Sequence, residues 1–315
     1  PDPVLSQASR RQRLGLQGQP VQTQTMGFFT TPFVLDCAQG GDSYYNHVLA
    51  GIQKAAQENG YHLMLETPKC ASLDSWASSS SLMLPEMVKG NLVDGLVIEG
   101  TFPEPLRGVL TQRLPVVFID RSYPKLPASS VMPNIEQAVR EQLDYLWDLG
   151  HRNIVTFQHA APTLHVEIHM RAFSGFFAEK EQSVVHPEAC RRRDINPQTH
   201  ERVMAEYARE MVALRPRPTA LITWDTYGCA LLTEFQKLGI RVPEEISVIG
   251  MDDTVAARLS VPQLTSYRFP MDELGRTATN LLIERIQDRS QPIRHVVING
   301  QLIERASCVA VSSEQ

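Results

Sequence analysis

The stretch VPEEISVIGMDDTVAARLSVPQLTSYRFPMDELG, residues 242–275, decides the fold. Residues 247–249 form a short apolar run. The carboxylate pair Asp252-Asp253 follows it, and a helical pattern starts near Met271 and runs to about residue 286. A short, poorly alternating apolar run with a helix after it is the unit of a parallel sheet covered on both faces. In such sheets the residues just past the strand C-termini face the ligand crevice. Asp252 and Asp253 therefore stand where a carboxylate can accept ligand hydroxyls or do acid/base work. No companion nucleophile or base accompanies them, so binding is the plainer role.

The same unit recurs outward from this stretch. Strands are predicted at 26–29, 62–65, 96–98, 116–119, 154–157, 220–223 and 295–298, besides 247–249. Between them, residues 43–59 carry Tyr44, Tyr45, Val48, Leu49, Ile52 and Ala56 at helical spacing and stop at Gly60. Asn134 is placed to cap a helix over 135–149 that ends at Gly150, and a further helix at about 227–238 ends at Gly239. This alternation predicts α/β architecture with doubly wound parallel sheets. It runs too long for one sheet, so two lobes around a ligand cleft are expected.

Composition agrees. At about 150 residues per domain, a chain of 315 residues with 43% hydrophobic and 21% charged residues accommodates two units, each with its own core. Disordered and fibrous classes are excluded. The net charge is −5, and the five cysteines (Cys37, Cys70, Cys190, Cys229, Cys308) have no C-x-x-C spacing, which fits free thiols in a reducing cytoplasm. No apolar run approaches the ~20 residues of a membrane span, and the polar start PDPVLSQASRRQRLGLQGQPVQTQT lacks a signal-peptide hydrophobic region.

Motifs of the common enzyme classes are missing: no phosphate loop, no dinucleotide-binding G-x-G-x-x-G after a strand and no G-x-S-x-G elbow. No enzymatic activity and no cofactor are expected. The sequence His159…His165-Val-Glu167-Ile-His169 would place two histidines on one helix face, as a zinc site needs. It lacks the H-E-x-x-H order and follows Ala-Ala-Pro, so it reads as a polar loop, solvated or facing a ligand, and no metal is assigned. Arg191-Arg192-Arg193 lies between Glu188 and Asp194 and reads as a solvated loop, because a nucleic-acid patch needs a wider basic field.

Several strings in order resemble the effector-binding core of the LacI/GalR family of bacterial transcription regulators. DSYYNHVLAGI (42–52) is similar to the family's first helix, and VDGLVIEG (93–100) to its V-D-G-[IL]-I strand. LPVVFIDRSYP (114–124) resembles P-V-V-x-[IL]-D-R, DLGHRNIVTF (148–157) resembles L-G-H-R-x-I, and 242–275 follows the family pattern almost throughout. The resemblance implies a periplasmic-binding-protein type I fold in two lobes, 21–133 plus 268–297 and 134–267 plus 298–315. It also implies a homodimer that binds operator DNA and senses a small molecule, here a carbohydrate. A sugar-binding protein of a transporter shares this fold and is the alternative.

Residues 1–20 resemble the hinge segment between the family's helix-turn-helix domain and its core. That DNA-reading domain is not among these residues and is expected upstream of Pro1. Against the family's P-N-x-x-A-x-x-L pattern, Pro1 matches, whereas Leu5 and Ala8 stand in exchanged places; Arg10, Arg11 and Arg13 add phosphate-binding charge.

For the effector the resemblance implies Tyr44 and Tyr45 as an aromatic wall. Asp120 and Asp252 would accept ligand hydroxyls, Trp224 would lie against a ring face, and Met271 would line the site. Arg171 is the counterpart of an effector arginine, though it lies four residues before Gly175 where the family has three. His165 and Glu167 are added from the same segment.

Overall fold

A computed structural model describes residues 22–31, 44–68, 84–160, 163–190, 192–196 and 198–311. The hinge positions Pro1, Leu5, Ala8, Arg10 and Arg11 lie outside the described residues.

Two sheets organise the chain. The first has six parallel strands in the order β12-β5-β4-β3-β1-β2, with β1 Thr25–Phe29, β2 His62–Glu66, β3 Gly95–Glu99, β4 Val116–Ile119, β5 Ser129–Pro133 and β12 His295–Ile298. The second has five strands in the order β13-β11-β10-β9-β6, from β6 Ile154–Thr156, β9 Ala220–Ile222, β10 Ser247–Met251, β11 Thr265–Arg268 and β13 Gln301–Ile303. Its edge strand β13 runs antiparallel to β11, a departure from the all-parallel expectation. A short pair, β7 Gln158–His159 and β8 Arg192–Arg193, stands apart.

The short apolar runs are strands because both of their faces are buried. In the first sheet, Phe28, Val97, Val117 and Ile119 enter one apolar cluster, and Phe29, Leu96, Ile98, Val116 and Phe118 enter the cluster on the opposite face. Consecutive residues thus point into different cores, and no polar alternation survives in the sequence.

The predicted helices form with their stops in place. They are α1 Tyr44–Glu58, α4 Ile135–Asp148, α7 Asp225–Lys237 and α9 Met271–Gln287. Gly60, Gly150 and Gly239 all adopt positive φ. After each, the next residue's N–H reaches back into the last turn: Tyr61 to Ala56, His151 to Leu146 and Ile240 to Phe235. Asn134 caps α4 by accepting the Gln137 N–H at 3.1 Å.

Other helices were not anticipated: α2 Glu86–Lys89, α3 Glu104–Arg113, α5 Leu164–Glu179, α6 His200–Ala213 and α8 Val255–Leu259. The most consequential is α5, because the segment read as a polar loop is helical. Thr163 caps it, and Val166, Ala172, Phe173, Phe176 and Phe177 supply its buried face. The loop reading of the arginine run is also corrected, since Arg192 and Arg193 form β8 and Arg193 pairs with Glu210.

The chain passes between the lobes three times: before α4, between β11 and α9, and between β12 and β13. Helix α9 returns to pack on α1 and on β3, β4 and β5 of the first sheet. Cys190, Cys229 and Cys308 are free thiols, and no helix among the described residues is long and apolar enough to cross a membrane.

Candidate functional site

The C-terminal ends of strands from both sheets bring a set of polar and aromatic side chains together. On the first lobe, β4 delivers Asp120, β3 ends in Glu99, and α1 begins with Tyr44 and Tyr45. On the second, β10 is followed by Asp252, β9 by Trp224, and the first turn of α5 carries His165. This is the crevice position of an open α/β sheet.

Asp120 is the centre of the set. It is 4% exposed, its φ is 62°, and its N–H is fixed by the Val131 carbonyl at 3.0 Å. An aspartate tolerates this left-handed backbone better than a branched residue does, and such conformations gather at ligand sites. The Tyr44 hydroxyl donates to Asp120 Oδ1. From the other lobe, His165 Nε2 lies 3.7 Å from the same oxygen. Asp120 Oδ2 is enclosed and has no hydrogen-bond partner among the described residues.

The two adjacent aspartates of the opening stretch divide their labour. The Asp253 carboxylate binds Arg268 at 2.6 Å and also holds Arg305, so it is committed to the fold. Asp252, at φ 106° and anchored by its N–H to the Tyr267 carbonyl at 2.9 Å, keeps Oδ1 enclosed without a hydrogen-bond partner among the described residues. Asp225 likewise serves structure, accepting from the Thr254 N–H and hydroxyl and from Ser266.

Enclosure sets the protonation pattern, because it disfavours charge on carboxyl and imidazole alike. Burial pushes Asp120 up to about 7 against the opposing pull of the Tyr44 bond and the Arg121 charge. Glu99 is raised to about 8 by burial and then by Asp120, against its bond from Thr30. Asp252 is held well above the carboxylate range by burial and then by Asp225 and Asp120. His165 is lowered to about 4 by burial and then by Arg121, so its imidazole is neutral near pH 7.

The aromatic residues wall this space. Tyr44 and Tyr45 meet edge to face with centroids 5.1 Å apart, and Trp224 lies 6.4 Å from the His165 ring. Trp224 Nε1 donates to Gln158 Oε1 at 2.8 Å, which satisfies its polar edge and orients its indole.

Three of the expected effector residues stand elsewhere. The Arg171 side chain is 72% exposed and pairs with Glu136 at 3.4 Å on the outer face of α5. Glu167 is exposed in the first turn of α5, where a carboxylate favours the helix dipole. Met271 is buried in the apolar cluster at the start of α9. The two on α5 follow from helical geometry, since Glu167 and Arg171, two and six positions beyond His165, point away from its face. His169 does share that face, but its Nε2 meets Thr156 at 2.9 Å within the core, and burial lowers it to about 3.

Sequence reasoning passed over Glu99, Arg121, Thr30 and Gln158. Glu99 carried the clearest signal: a carboxylate closing the apolar run of β3, at the same strand end as Asp120 on β4.

Residues 143–308 match the model of the periplasmic binding protein-like domain. The chain belongs to that family. Among curated proteins, this periplasmic binding protein-like chain is 28% identical to the HTH-type transcriptional repressor PurR of Escherichia fergusonii over 271 residues, 84% of this chain and 76% of the relative. A solved CelR–cellobiose complex superposes with TM-score 0.75 at 21% identity, covering 98% of this chain and 91% of that one. The lac repressor dimer bound to operator and the anti-inducer ONPF gives TM-score 0.74 at 18% identity, with 95% and 98% covered. A LacI family regulator from Enterococcus faecium with bound ribose gives 0.72 at 18% identity, with 91% and 100% covered. Within the periplasmic binding protein-like family, the chain is an effector-binding core of the LacI/GalR type.

Proposed function

We propose that the chain is the ligand-sensing and dimerisation core of a LacI-type DNA-binding transcriptional regulator, with a carbohydrate effector held between its lobes. The observation that carries this reading is the pair of enclosed carboxyl oxygens, Asp120 Oδ2 and Asp252 Oδ1, at strand ends of opposite lobes, neither with a hydrogen-bond partner among the described residues. A sugar's hydroxyls would exchange hydrogen bonds with these carboxyl groups, each bond contributing about 0.5–1.5 kcal/mol while the group is neutral and about 1.5–3 kcal/mol where it is ionised. Tyr44, Tyr45 and Trp224 offer ring faces for the apolar side of a sugar, and His165 offers its Nε2. The relatives support the reading: PurR is named a transcriptional repressor, and two structural neighbours hold cellobiose and ribose.

In this proposal the lobes are 21–133 plus 268–297 and 134–267 plus 298–315. Residues 1–20 tether them to a DNA-reading domain in a cytoplasmic homodimer without enzymatic activity. A ligand bridging Asp120 and Asp252 favours one closure state, and it shifts DNA affinity only by its differential affinity for the two states.

A thermal-shift screen against mono- and oligosaccharides, cellobiose and ribose first, tests this. A ligand at 100 times its dissociation constant stabilises by about 2.7 kcal/mol, and Asp252→Ala removes the best hit's shift. Silence across the panel overturns the carbohydrate reading, and a shift unchanged in Asp252→Ala removes that residue from the site.

A further inference from the structure

The cleft gathers more carboxyl groups than a neutral sugar requires. Glu99 ends β3, buried, with Oε2 accepting a 2.7 Å bond from the Thr30 hydroxyl. Its register partner across the parallel pair is Ile119, so Asp120 lies one residue further along the neighbouring strand. Asp252 adds a third carboxyl from the other lobe, close enough that the Asp120 charge acts on it.

The compensating charge is thin. Among the described residues, Arg121 is the cation whose charge acts on both Glu99 and Asp120. His165, which faces Asp120, is neutral at pH 7. Asp225 behind Asp252 adds a further acidic group, and Tyr44 and Tyr45 bring hydroxyls that carry no positive charge. An enclosed carboxylate without a counter-ion is costly, and its partner charge must come from somewhere if it is to ionise.

A neutral hydroxyl donates one bond to such a group and leaves its charge uncompensated. An ammonium supplies three donors and a positive charge together. The neighbouring phenol and indole rings also present faces that attract cations. Asp120 supplies the independent observation that points to a ligand: Tyr44 occupies Oδ1, whereas Oδ2 is enclosed and has no partner among the described residues.

We propose that the cleft selects an effector bearing a protonated amine on a hydroxylated frame, a basic amino sugar or amino-polyol, with the ammonium seated between Glu99 and Asp120. This rests on the reading of the cleft as the effector site and narrows the class of effector within it. Seating the cation ionises carboxyls that are otherwise protonated, so binding at pH 6.5 releases protons to the buffer.

Isothermal titration of the 315-residue chain at pH 6.5 tests the proposal with matched pairs: glucosamine and glucose, galactosamine and galactose, mannosamine and mannose, each with its N-acetylated form. The expected result is an amine at least about tenfold tighter than both its neutral and its N-acetylated counterparts. Its apparent enthalpy should differ between phosphate and ACES, buffers of different ionisation enthalpy that both hold pH 6.5 and lack a hydroxylated amine, in the sense of proton release. Glu99→Gln, with folding checked by circular dichroism, reduces the amine preference about tenfold.

A neutral sugar binding as tightly as its amine overturns this inference and leaves the carbohydrate reading standing. Silence in every pair overturns this inference, and the broader saccharide screen then decides the carbohydrate reading separately. An amine preference without proton release overturns the seating at Glu99 and Asp120. That readout uses the unaltered chain and does not depend on the variant's folding.

Discussion

His165 and Asp120 meet across the two lobes, with imidazole Nε2 3.7 Å from carboxylate Oδ1. The Tyr44 hydroxyl donates to that same oxygen from within the first lobe. One carboxylate oxygen is therefore the junction between α1, β4 and α5, and the arrangement depends on the phenol. Tyr44→Phe leaves an enclosed acceptor unpaired, so stability falls by about 1–3 kcal/mol. The Asp120 carboxyl rises further, because the bond that pulls it down is gone. Urea denaturation reads the first effect, and a carboxyl-carbon NMR titration reads the second.

The buried acids and histidines impose opposite pH dependences. Glu99, Asp120 and Asp225 titrate at about 8, 7 and 7 in the folded chain, above their unfolded values. The folded state holds more protons there, so stability falls as pH rises from about 4 to 8. His165 and His169, lowered to about 4 and 3, contribute the reverse: stability rises with pH up to their unfolded value of about 6.5 and is flat above it. Between pH 6.5 and 8 the carboxyls act alone. The thermal midpoint should decline across that window, and Glu99→Gln should make the decline shallower. A midpoint constant from 6.5 to 8 would contradict the raised carboxyls.

Legibility in the sequence followed local determinism. The strands β4 and β12 were delimited to the residue, and three helix stops were placed on glycine, because a buried apolar run and a left-handed cap each depend on a few adjacent residues. Strand β5 was not predicted, since Ser129, Ser130 and Pro133 leave it only two apolar residues in a row. The two serine hydroxyls are satisfied by tertiary partners, the Arg294 N–H at 3.1 Å and His295 Nδ1 at 2.8 Å, neither of which is local. Helix α5 was missed because Ala-Ala-Pro and three polar residues outweighed its phenylalanines. Asp120 and Asp252 were legible from their strand ends. Arg171 was not placed where a resemblance would put it, since a one-residue difference in spacing turns a helical side chain by about 100°.

That rotation makes Arg171 informative. Its pair with Glu136 is solvent-exposed on both sides, and such pairs contribute about 0–1 kcal/mol. Arg171→Ala should shift the denaturation midpoint little and leave the affinity of any effector found by the saccharide screen unchanged within twofold. A tenfold loss of affinity would show that the α5 surface turns inward when ligand binds.

Helices α1 and α9 pack through glycine on both sides. A Cβ on Gly51 would lie 2.1 Å from the Asp272 carbonyl oxygen, and one on Gly275 would lie 2.1 Å from that of Val48. Backbone cannot yield as a side chain does, so either alanine must push the helices apart. Gly51→Ala and Gly275→Ala should each cost about 1–3 kcal/mol or more, and the pair should cost less than the sum, because the first separation relieves the second clash. Full additivity in a double-mutant cycle would mean that the two contacts are independent.

Asp252 and Asp253 permit the sharpest separation of binding from folding, since neighbouring residues of one type carry different burdens. The Asp253 carboxylate is 1% exposed and holds both Arg268 and Arg305. Asp253→Asn leaves the largely buried Arg305 guanidinium without its counter-charge, and stability should fall by about 3–5 kcal/mol. Asp252→Asn removes a carboxyl that burial keeps above its ordinary range, which relieves a cost of folding. Its stability should hold or rise near pH 8, while effector affinity drops about tenfold or more for the loss of a carboxyl that bonds the ligand. Chemical denaturation and effector titration on the two variants check both arms. A destabilised Asp252→Asn would assign that carboxylate to the fold rather than to the ligand.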